Sequence, residues 1–76
     1  MQEIKIFKDH TEYWENGELH RADGPAVEWK KGGKEWWKNG ERHRTDGPAV
    51  ERANGTKEWW ENGEFIRSEN ERNKKI

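Results

Sequence analysis

Trp37-Lys38-Asn39-Gly40-Glu41-Arg42-His43-Arg44-Thr45-Asp46-Gly47-Pro48-Ala49-Val50-Glu51 decides how this chain folds. Asn-Gly between short extended runs is the strongest local signal for a two-residue hairpin turn, because a type I′ turn needs positive φ at both central residues. A strand, the Asn39-Gly40 turn and a return strand therefore precede Arg44. Asp46-Gly47-Pro48 then interrupts the ladder, since Pro48 has no N–H to give a central strand. Ala49-Val50-Glu51 resumes an extended run.

The same order returns on both sides. Trp14-Glu15-Asn16-Gly17-Glu18 comes before it and Trp60-Glu61-Asn62-Gly63-Glu64 after it, a period of 23 residues from Trp14 to Trp37 to Trp60. His20-Arg21-Ala22-Asp23-Gly24-Pro25-Ala26-Val27-Glu28 differs from His43–Glu51 only at Ala22, where the later copy has Thr45. The third copy reads Ile66-Arg67-Ser68-Glu69-Asn70 at this point, and repeat arrays commonly end in such atypical units. The shift also sets Ile4 on Val27 and Val50 and Tyr13 on Trp36 and Trp59, so the first residues should supply the back half of an earlier unit. Lys31-Gly32-Gly33 and Ala53-Asn54-Gly55 mark the looser reversals between hairpins.

The predicted fold class is all-β, an antiparallel β-hairpin repeat in a meander that makes a single elongated twisted sheet. Strands are expected at about Glu3–Lys8, Thr11–Glu15, Glu18–His20, Ala26–Lys30, Lys34–Lys38, Glu41–His43, Ala49–Arg52, Lys57–Glu61 and Glu64–Arg67. The repeat domain takes in residues 1–67, with units at about 14–36 and 37–59, a partial unit at 60–67 and an N-terminal half unit at 1–13. Residues 68–76 read as a tail, frayed or in one short helix, with Ser68 and Glu71 matching a capping box.

Seventy-six residues make one small domain, and 28% apolar against 41% charged residues leave little surface for a core. Six tryptophans offset that deficit, and their rings are expected to carry most of the packing. Fifteen basic and sixteen acidic residues give a net charge of −1 with the signs interleaved, which argues against duplex nucleic acid as a partner. Aromatic rings among Lys and Arg also suit single-stranded nucleic acid, but the carboxylates between them oppose it. The chain contains no cysteine, hence neither a disulfide nor a thiolate metal site. With no apolar run of signal or membrane length, the expected location is cytoplasmic.

The Asn-Gly turns, the Trp-x-Asn-Gly-x-x-His-Arg step and the 23-residue period resemble MORN-type repeats and their divergent relatives in phages and large viruses, over roughly residues 11–67. The usual Gly-x-Gly after the His is replaced by Arg-x-Asp-Gly-Pro-Ala. The resemblance implies a row of antiparallel hairpins used for protein contacts or, in some members, lipid contacts. A lipid-surface module needs a cationic or amphipathic patch, which this sequence does not display.

Two sets of residues are candidates for function. Neighbouring strand residues point to opposite faces, so the pairs Tyr13-Trp14, Trp36-Trp37 and Trp59-Trp60 put one ring on each face at every repeat. One row is expected to stack as core and the other to lie open or meet a second copy. His20-Arg21-x-Asp23 and His43-Arg44-x-Asp46 suit an anion or nucleotide, since Arg binds oxyanions bidentately and His titrates near neutrality. They equally suit a structural role, Asp fixing the turn through backbone N–H groups and Arg pairing with a nearby Glu. His10, His20 and His43 fall at repeat-related or distant positions, so no shared metal is expected.

The sequence thus predicts a small protein-binding module, not an enzyme, without cofactor or metal. Its partner is expected to be a host protein, such as a defence-system component, inhibited by a phage- or virus-like accessory protein. The alternative is an oligomeric sponge for a nucleotide-like anionic ligand. Expected binding residues are Trp14, Trp29, Trp37, Trp60, His20, Arg21, His43 and Arg44, and a homodimer is expected because a single-layer sheet exposes edges and rings.

Overall fold

Asn16, Asn39 and Asn62 adopt left-handed φ of 52°, 53° and 51°, each followed by a glycine at 80–82°. All three Asn-Gly pairs therefore form the tight turns expected of them. The computed structural model describes residues 2–70, which contain ten strands and no helix. These are β1 (Gln2–Ile6), β2 (His10–Glu15), β3 (Glu18–Leu19), β4 (Val27–Trp29), β5 (Lys34–Glu35), β6 (Trp37–Lys38), β7 (Glu41–Arg42), β8 (Val50–Glu51), β9 (Thr56–Glu61) and β10 (Glu64–Asn70). Every pairing is antiparallel, in a meander that does not close. None of the described residues forms a helix long and apolar enough to cross a membrane.

The order β1-β2-β4-β5-β8-β9-β10 makes one long sheet, with β3 on β2, while β6 and β7 form a ladder of their own. The single expected sheet is therefore two ladders, divided at Trp36. Its N–H donates to the Ala49 carbonyl and its own carbonyl accepts from His43 N–H, so here the strand exchanges its central neighbours for the return arm of its hairpin. The hairpins stay in contact through the backbone, Gly40 N–H donating to Leu19 O (2.9 Å) and Gly63 N–H to Arg42 O (3.0 Å).

The ends depart from the repeat. Val27 stands opposite Glu35 and Val50 opposite Glu58, yet Ile4 stands opposite Tyr13, not Glu12. The half unit at the N-terminus is thus slipped by one residue, which turns Ile4 to the other face of the sheet. At the far end β10 runs past Arg67 to Asn70, so Ser68 lies in a strand and is no helix cap. Glu71 stands where the earlier copies have Pro25 and Pro48; without a Gly-Pro bend the chain keeps pairing with β9, with a bulge between Phe65 and Arg67. The remainder of the expected tail lies outside the described residues.

The fully buried side chains are small. Ala26 and Ala49 are completely covered, and Val27 and Val50 nearly so. Five of the six tryptophan rings are half-buried and Trp29 is exposed, at 38%, contrary to the expectation that the rings would form the core, because a single layer offers nothing to cover their outer sides. Neither row of the paired aromatics lies open. Ala26 exchanges strand contacts with Tyr13 and Glu35, and Ala49 with Trp36 and Glu58, which intersperses the rings of Tyr13, Trp36 and Trp59 with alanines and lets the rings close over them.

Candidate functional site

Each His-Arg-x-Asp-Gly-Pro step folds around its arginine. The Arg44 guanidinium lies on the Trp36 ring, 3.8 Å from its centroid, and donates to Asp46 Oδ1 (Nε, 3.0 Å) and to the Pro48 carbonyl (Nη1, 3.0 Å). Arg21 repeats this on Tyr13 at 3.9 Å, with Asp23 and Pro25 both at 3.2 Å and Glu28 at 3.2 Å. Arg67 takes the same place on Trp59, with Glu69 in the role of the aspartate. The guanidinium thus meets a π-face, a bend carbonyl and carboxylates together, and the cation–π contact is strengthened by partial burial. Asp23 and Asp46 accept from arginine and not from the turn amides, which corrects their expected role. Gly24 and Gly47 close the sandwich: a Cβ at Gly47 would stand 3.0 Å from Arg44 Cζ and one at Gly24 3.3 Å from Arg21 Cζ.

The histidines join successive repeats. Asn39 N–H donates to His20 Nδ1 (3.1 Å) and Asn62 N–H to His43 Nδ1 (3.0 Å). A backbone amide is always the donor, so Nδ1 carries the lone pair and the ring proton sits on Nε2. In this way each histidine holds the turn of the following hairpin. Ile66 occupies the equivalent position in the third copy.

Between the two complete bends lies an open groove of about 690 Å³. His20, Arg21, Asp23, His43, Arg44 and Asp46 stand along it, with Trp36 and Trp37 also lining it. It brings together five of the expected binding residues: His20, Arg21, Trp37, His43 and Arg44. The guanidinium groups are mostly covered, at 22% and 23% side-chain exposure, whereas Asp23 and Asp46 stand out at 86% and 84%. Lys38 and Thr45 extend the exposed rim.

The other expected residues lie elsewhere. Trp14, Trp37 and Trp60 each donate from Nε1 to the glutamate two residues earlier, Glu12, Glu35 and Glu58, at 2.9, 2.9 and 3.0 Å. Two cations lie against these rings: Lys5 Nζ lies 4.2 Å from the Trp14 centroid, and Arg42 lies 5.4 Å from Trp37 and 5.0 Å from Trp60. Trp60 also meets Phe65 edge-on at 5.4 Å. Glu58 is held below its ordinary carboxylate value: burial pushes upward, but hydrogen bonds from Trp60 and Arg52 and the charges of Arg52 and Arg42 outweigh it.

Trp29 belongs to a cluster that the repeat pattern did not reveal, because Phe7 and His10 have no equivalents in the Lys-Gly-Gly and Ala-Asn-Gly reversals. The His10 imidazole stacks between Phe7 (4.6 Å) and Trp29 (4.3 Å). Nδ1 meets Asp9 at 2.7 Å and Nε2 meets Glu12 at 2.9 Å. The hydrogen bonds to Asp9 and Glu12 raise the His10 pKa, and the bond to His10 lowers that of Asp9. Glu12 is also lowered, burial being outweighed by the bonds from Trp14 and His10. Among the described residues no three His, Cys, Asp or Glu side chains form a metal-ligand group.

No protein-family model, curated protein or solved structure matches the chain. The likeness to MORN-type repeats accordingly rests on the turn and repeat residues themselves.

Proposed function

We propose that this chain is a protein-binding repeat module and that it receives its partner in the groove between the His20–Pro25 and His43–Pro48 bends. The supporting observation is the convergence along one open groove of tryptophan, arginine and histidine residues from both complete repeats. Trp and Arg dominate the binding energy of protein interfaces, and they do so best when held rigid before binding. Here the arginines are fixed by ring, aspartate and carbonyl, so a partner does not bear the cost of ordering them. The proposed partner is a host protein, a class that the MORN-type resemblance suggests.

The test is affinity capture from a bacterial lysate with the full chain and with the variant Ala22→Arg/Thr45→Arg, which fills the rim from two exposed positions without removing a contact of the bends. Far-UV circular dichroism and the melting temperature verify that the variant is folded. A stoichiometric protein held by the parent chain and lost from the variant supports the groove. A protein retained equally by both would place recognition elsewhere, and a small anionic mass retained in its stead would establish the ligand-sponge alternative.

A further inference from the structure

The two edges of the long sheet are not alike. β10 carries a bulge between Phe65 and Arg67, and an antiparallel copy of itself centred on Arg67 would set like charges opposite one another. Bulges and inopportune charges are the usual protections of an edge strand. β1 has neither. It pairs with β2 in unbroken register from Gln2↔Glu15 to Ile6↔Thr11 and, among the described residues, has no neighbour on its outer side. Ile4 and Ile6 are left 56% and 77% exposed.

The backbone shows which groups this edge offers. Phe7 N–H donates to His10 O (2.8 Å), and hydrogen-bonded pairs alternate along an antiparallel ladder, so Lys5 and Glu3 turn their peptide groups to β2. Tyr13, opposite Ile4, gives its N–H to Ala26 on the far side, as this alternation requires. Gln2, Ile4 and Ile6 therefore direct their N–H and C=O groups outward.

We propose that β1 is the contact strand of a two-fold symmetric dimer, pairing antiparallel with β1 of a second copy about Ile4. In that register Ile4 faces Ile4 and Gln2 faces Ile6, so all the outward peptide groups meet outward peptide groups. Glu3 falls opposite Lys5 and Lys5 opposite Glu3, so both charged pairs are complementary in the closely spaced positions. A lysine in an edge strand ordinarily discourages pairing; here it is matched by the other copy's glutamate. Ile4 and Ile6 lie on the same face as Tyr13, and pairing extends that face across the two-fold axis. The contact is isologous and closes at two chains. It does not involve the proposed binding groove.

The full chain should sediment at twice its 9.2 kDa mass. Glu3→Lys alone and Lys5→Glu alone each set like charges opposite one another and should each return the monomer. Mixing the two variants restores both charged pairs and should yield a heterodimer, and Glu3→Lys/Lys5→Glu should dimerise by itself. The chain has no cysteine, so Ile4→Cys should oxidise to a covalent dimer while Ile6→Cys, which faces Gln2, should not. A parent chain that remains monomeric at millimolar concentration, a dimer indifferent to both single charge changes, or an assembly larger than two would each overturn the proposal.

Discussion

His20 Nδ1 accepts the backbone N–H of Asn39 at 3.1 Å, across nineteen positions of sequence. His43 does the same for Asn62 at 3.0 Å. Replacing either histidine with alanine leaves that amide without its acceptor and should lower stability by about 0.5–1.5 kcal/mol. Asn places an oxygen near the site of Nδ1, so His43→Asn should retain more stability than His43→Ala. Urea unfolding followed by tryptophan fluorescence decides this, and equal losses for the two variants would count against the bond.

Gly47→Ala introduces a methyl 3.0 Å from Arg44 Cζ, against a guanidinium clamped by Trp36, Asp46 and Pro48. The ring, the methyl and the guanidinium cannot all keep their places, and the change should cost about 1–3 kcal/mol. Once Arg44→Ala has emptied the space, Gly47→Ala should cost much less. A double-mutant cycle measures the coupling, and simple additivity would show that Gly47 is not there for the arginine.

Gly40 and Gly63 hold φ of 81° and 80° in turns that rest against Glu18 and Glu41. Alanine at either position should destabilise by about 1–2 kcal/mol, the cost of a left-handed conformation for a residue with Cβ. Gly40→Ala should also increase hydrogen exchange at Asn39, whose amide bonds to His20. Protection unchanged there would separate the turn from the stacking of repeats.

The Phe7-His10-Trp29 cluster sets a pH window. His10 has a raised pKa, so its contribution is complete below the ordinary histidine value and disappears as pH rises through the raised one. Asp9, Glu12 and Glu58 have lowered values; their contributions are complete above the ordinary carboxylate range and disappear as pH falls through the lowered ones. Stability should therefore be greatest between about pH 4.5 and 6.5. Melting temperature across pH tests this directly. His10→Gln should flatten the alkaline limb, and a proton NMR titration should find the His10 midpoint above the ordinary imidazole value.

Much of this fold was legible because its cues are local. Positive φ at Asn39 and Gly40 is demanded by the turn itself, and Pro48 cannot donate wherever it is placed, so hairpins, bends and the all-β class follow from residue chemistry. Trp36 and Trp37 fall on opposite faces for a similarly local reason, the alternation of a strand. The gathering of His20, Arg21, His43 and Arg44 beside one groove also follows from the period, since equivalent positions of adjacent units become neighbours.

What the sequence left undetermined depends on groups distant along the chain. The same histidine residue suits an anion, a metal or a backbone amide, and only the arrival of the next Asn-Gly turn selects the amide. Ile4 aligns with Val27 by sequence, but among the described residues β1 is an edge strand held by β2 alone, and that pairing settles one residue away from the repeat register. Ser68 begins a plausible helix cap, yet the free edge of β9 accepts the chain as far as Asn70 because no proline prevents it. Sequence by itself determined the turns and the repeat, since steric limits on φ and the absence of a proline N–H act within a few residues. Tertiary structure alone decided partner, register and edge, since these are set by which unsatisfied backbone and side-chain groups the finished sheet brings within hydrogen-bonding distance.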